Sequence, residues 1–149
     1  MPPVPLFFLC SALAILPLAW VKGGHPERAG VALFIAAYVA APFLEGFRIG
    51  ETMPAIAVED LIILSVLIWL ALKYDRWWLL LASAAQSLNV LSHVALMVTP
   101  ELTAREAIGA QWVFGLISLY ALFSGILERH LSGERAASPA LSRTPAPQT

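Results

Sequence analysis

Five apolar stretches, at roughly 4–21, 29–47, 55–72, 77–98 and 107–127, constrain this chain more than any other feature. A helix crossing about 30 Å of hydrocarbon needs about 20 mostly apolar residues. The stretches 77–98 and 107–127 supply that length without a single formal charge. A chain of 149 residues that is 59% hydrophobic and 13% charged cannot hide five such stretches in one soluble core. The expected fold is an all-α integral membrane bundle of five transmembrane helices.

Charge placement orients it. If every stretch spans, alternate connections share a side, and seven of the nine Lys and Arg residues fall together: Lys22, Arg28, Lys73, Arg76, Arg129, Arg135 and Arg143. Only Arg48 and Arg105 lie opposite, beside Glu45, Glu51, Glu59, Asp60, Glu101 and Glu106. Basic residues are retained in the cytoplasm, which puts the N-terminus outside and the C-terminus inside. The third stretch is the weakest. Its uncharged part, Leu61–Leu72, covers only about 18 Å, so the helix must begin near Met53–Pro54, where a proline costs no hydrogen bond. A four-span alternative would put the tail outside and spoil the asymmetry. Residues 1–131 form one membrane domain, and 132–149, rich in Ser, Ala and Pro, read as a disordered cytoplasmic tail.

Composition excludes several classes. A net charge of −1 gives no basic face for nucleic acid. The lone Cys10 excludes an intrachain disulfide and any multi-cysteine metal centre, and it reads as a small packing residue. The N-terminus lacks the basic start and A-x-A site of a cleaved signal, so the first stretch stays as a helix. Lys22 to Arg28 read as a tight turn, Pro17 as a kink in the first helix, and Trp20, Trp69, Tyr74, Trp77 and Trp78 as an inner aromatic girdle.

One constellation carries chemistry. At 100° per residue, Gln86, Asn89, Val90, His93 and Met97 share a face of the fourth helix, with Ala82 and Ser83 continuing it. Polar groups at that spacing must face protein or water. His93 lies about 8 Å from the helix's outer end, the half of the membrane that also holds Glu45, Glu59, Asp60 and Gln111. The candidate ligand-binding set is therefore Glu59, Asp60, Gln86, Asn89, His93 and Gln111. As structure alone, these groups are interhelical glue. As function, they form a site for a proton, a metal ion or a small polar ligand. A metal would use His93 with Glu59 or Asp60. His25 and His130 lie on the other side, which disfavours bis-histidine haem within one chain. Ser65 has no G-x-S-x-G context and no H-E-x-x-H is present, so hydrolysis has no motif behind it. On the fifth helix, Gln111, Gly115, Ser118, Leu122 and Gly125 align as a close-packing face, read as an internal contact.

The chain resembles uncharacterised small integral membrane proteins of bacterial inner membranes. The resemblance rests on Gly23-Gly24-His25-Pro26-Glu27-Arg28, Glu59-Asp60, Gln86 through His93, and Trp112, and spans about residues 15–127. It implies location and topology, with no activity attached. The reading is a multi-pass inner-membrane binding or accessory subunit rather than an enzyme. It needs no cofactor or structural metal, and its partners are the lipid bilayer and a larger membrane complex or a homo-oligomer. The rival is a small transporter or sensor using the outer polar site.

Overall fold

The computed structural model describes residues 3–47, 49, 53–99, 101 and 103–133. It is all-α: α1 (Pro3–Lys22), α2 (His25–Leu44), α3 (Pro54–Tyr74), α4 (Trp77–Val98) and α5 (Ala104–Leu131). All five are long and apolar enough to cross a membrane, as a multi-pass membrane protein requires. The tail read as disordered lies, from residue 134 onward, outside the described residues.

The helices follow one another around the bundle. The α4–α5 contact is the most extensive, with α3 against α4 next; α1 lies on α5, and α2 bridges α1 and α3 while touching α5. Only 22–39% of the apolar stretch of each helix is buried. Leu13, Phe43 and Leu72 stand more than half exposed, an apolar exterior suited to acyl chains rather than water. The basic connections gather at one end, the basic end, and the acidic connections at the other.

Local chemistry sets the helix limits. Pro54 opens α3 after Met53, which gives the weakest segment a full 21 residues. Asp75 ends α3 with φ 46°, a left-handed conformation that Asp tolerates better than most side chains, and α4 starts two residues later. Thr103 and Glu106 cap α5: the Thr103 N–H donates to Glu106 Oε2 at 2.9 Å, and Thr103 Oγ1 accepts from the Glu106 N–H at 3.4 Å. α1 continues through Pro17 to Lys22.

Three readings of the sequence are corrected. The Lys22–Arg28 turn is only Gly23-Gly24, because His25 to Arg28 already form the first turn of α2. Trp78 is no girdle residue: it is fully buried, whereas Trp20, Trp69 and Trp77 are exposed. Cys10 is exposed on α1 rather than packed. The α5 face does pack inside the bundle. A Cβ on Gly125 would stand 2.4 Å from the Trp78 ring, and one on Gly115 would stand 3.2 Å from Phe8, so α4 and α1 approach α5 closely at these glycines.

Candidate functional site

The buried stripe of α4 organises the acidic-end half of the bundle. Ala82, Ser83, Gln86, Asn89 and His93 all face inward, while Met97 leaves the stripe and is exposed. Asp60 enters from α3. Its Oδ1 accepts from Gln86 Nε2 at 2.8 Å, its backbone oxygen from the same nitrogen at 3.2 Å, and its Oδ2 lies 3.0 Å from His93 Nε2. Asn89 Nδ2 donates to Gln86 Oε1 at 3.2 Å. From α5, Gln111 Nε2 donates to Ser92 Oγ at 3.0 Å and lies 3.1 Å from His93 Nε2. Ser92 Oγ donates onward to the Asn89 carbonyl at 2.7 Å.

Five of the six candidate residues thus meet in one network across α3, α4 and α5: Asp60, Gln86, Asn89, His93 and Gln111. Glu59 does not join them. It follows the backbone about 100° round α3 and lines a groove towards α2 with Leu33, Ala36, Ala37 and Ala40. Glu45 is exposed at the end of α2. Ser65 is exposed and donates to the Leu61 carbonyl at 2.8 Å, away from His93.

His93 Nε2 is the centre of this network, and it can satisfy only one in-plane partner. It carries either a hydrogen or a lone pair, yet Asp60 Oδ2 and Gln111 Nε2 both address it. With the hydrogen on Nε2, His93 donates to the Asp60 carboxylate, and Gln111 Nε2 keeps its bond to Ser92 Oγ. With Nε2 bare, it accepts from Gln111 Nε2 instead. The side chains of His93 and Asp60 are 8% and 14% exposed, so these alternatives are settled inside the bundle. The ring thus stands between α3 and α5, and its hydrogen decides which of them α4 bonds at this nitrogen. Among the described residues no three His, Cys, Asp or Glu side chains gather as a metal site, so His93 with Asp60 provides two protein ligands.

A second polar centre, unread in the sequence, lies at the basic end. Glu27 is 1% exposed. Its Oε2 accepts the Gly24 N–H at 2.6 Å, its Oε1 accepts Trp78 Nε1–H at 3.1 Å, and Arg129 Nε pairs with Oε2 at 3.4 Å. Four segments are tied by one carboxylate: the α1–α2 connection, α2, α4 and α5. The glycine pair makes room. A Cβ on Gly24 would fall 2.3 Å from the Arg129 guanidinium, and one on Gly23 would fall 2.3 Å from the Ala19 carbonyl. The signal was present as Gly24-x-x-Glu27 with Pro26 early, the pattern of a helix start with a carboxylate at its third position.

Two grooves lie elsewhere on the bundle. One, of about 440 Å³, runs between α1 and α2 and is almost wholly apolar, with Leu9, Leu16 and Trp20 in its wall. The other, of about 340 Å³, is the α2–α3 groove that holds Glu59. No family model, curated protein or solved structure matches this chain.

Proposed function

We propose that this chain is a small accessory or binding subunit of a bacterial inner membrane, with its N-terminus outside and its C-terminus inside. The observation that carries the reading is the incomplete packing of α2. Its buried residues are Pro26, Glu27, Gly30, Val31 and Phe34, all in the basic-end half; Ile35, Tyr38, Val39 and Phe43 beyond them are exposed. Only the inner face of this outer half, Ala37, Ala40, Ala41 and Leu44, is half-buried on the bundle, which leaves its outward face for lipid or another protein. The seven-to-two division of Lys and Arg supports the orientation.

Two experiments test this. Affinity purification in mild detergent should retain a larger membrane protein in stoichiometric amount, and the chain should be less stable without it. A homo-oligomer stable alone, with uptake or efflux in vesicles, contradicts the reading. For orientation, reporter fusions at Gly24, Asp75 and Ser138 should signal cytoplasm and those at Gly50 and Thr103 periplasm. A periplasmic signal at Ser138 defeats the odd number of spans.

A second reading, a sensor that takes a proton at the outer polar network, is favoured by one observation. Asp60 and Gln111 converge on the same nitrogen of His93, so moving one proton changes the bonding of α3, α4 and α5 together. It requires Asp60 and His93 to act as a coupled pair.

A further inference from the structure

The α2–α3 groove is used by neither polar centre, and its chemistry defines what fits it. Glu59 and Asp60 are consecutive on α3 but face different ways. Asp60 is bonded to Gln86 and His93, whereas Glu59 lines the groove and makes no hydrogen bond or ion pair with the described residues. It is the sixth residue of α3, about 8 Å from the helix start. A carboxylate at that depth beside hydrocarbon calls for a cation, water or a proton. The groove is lined by Ala36, Ala37 and Ala40 of α2 and Ala55 of α3, small residues that let another helix backbone approach. After Phe34 no α2 residue is fully buried: Ala37, Ala40, Ala41 and Leu44 are half-buried on the inner face, Tyr38 meets the Phe8 ring edge-on at 5.4 Å, and the remaining side of these turns is open.

We propose that the α2–α3 groove seats a transmembrane helix of a partner protein that carries a Lys or Arg about a turn and a half from its outer end, paired with Glu59. The proposal rests on the accessory-subunit reading and names the chemistry of the partner. A lipid tail would fill the alanine-lined space, but its headgroup amine lies above the level of Glu59. A second copy of this chain is disfavoured too, because Arg105 is only the second residue of α5, about a turn nearer the headgroups.

The test uses the full-length protein in phosphatidylcholine vesicles, with a fluorescence donor at its C-terminus. The probe is a 22-residue Leu/Ala peptide with one Lys at its sixth position and an acceptor dye. A control peptide has Leu there. The Lys peptide should associate about tenfold more tightly than the Leu peptide, the scale of one interhelical polar contact. Glu59→Gln should make the two peptides equal. Ala36→Phe, at an exposed groove position that does not support the core, should weaken both. Equal binding of the two peptides to the unaltered protein, or a Lys preference that survives Glu59→Gln, overturns the proposal. So does loss of the Lys preference on adding phosphatidylethanolamine, which would assign the groove to a lipid amine. The readings separate: a co-purified partner insensitive to Glu59→Gln and Ala36→Phe defeats the groove assignment alone, and the absence of any partner defeats the subunit reading.

Discussion

Glu27→Ala should destabilise the bundle by about 3–5 kcal/mol, the cost of removing one partner from a buried, hydrogen-bonded ion pair. Two hydrogen bonds and an ion pair are lost together: the Gly24 N–H, the Trp78 indole N–H and the Arg129 guanidinium all lose this carboxylate. The side chains of Glu27 and Arg129 are 1% and 12% exposed, so water replaces little of what is lost. Glu27→Gln should cost less, about 1–3 kcal/mol, because its single amide oxygen still accepts one of the two N–H bonds. Lys22→Ala, at an exposed position nearby, is the control and should be near neutral. Unfolding by titration with sodium dodecyl sulfate measures all three. A loss below about 1 kcal/mol for Glu27→Ala would mean that the clasp does not form in the membrane.

The sequence was readable wherever a physical rule acts locally. Apolar runs of spanning length mark all five helices, and Pro54 marks where the third begins, because a proline at an early helical position surrenders no hydrogen bond. The buried stripe Gln86, Asn89, His93 follows from the 3.6-residue period alone. What stayed hidden depends on helix rotation and on partners distant in the chain. Glu59 and Asp60 differ by about 100° around α3, and only the packing of α3 on α4 decides that Asp60 meets His93. Trp77 and Trp78 pose the same problem: one faces outward, and the other fills the core beside Gly30 and Gly125. Glu27 read only as part of a tight turn because its indole partner is 51 residues away. Its capping pattern was local and legible, but its burial was not.

The second large effect concerns the outer network. Replacing His93 with Gln removes the ring that Asp60 and Gln111 both address, although an amide can still bond Asp60 once. Asp60→Asn removes the charge but keeps an oxygen to accept from Gln86. Each single change should destabilise by about 1–3 kcal/mol, as expected when a buried polar group loses a partner. The double variant should lose clearly less than the two single losses combined, because either change alone already breaks the shared 3.0 Å contact. That double-mutant cycle, read by detergent-titrated unfolding of the four proteins, tests the Asp60–His93 pair most directly. A coupling energy of about 0.5–3 kcal/mol is the predicted result, and strictly additive losses would show that Asp60 and His93 do not act as one site.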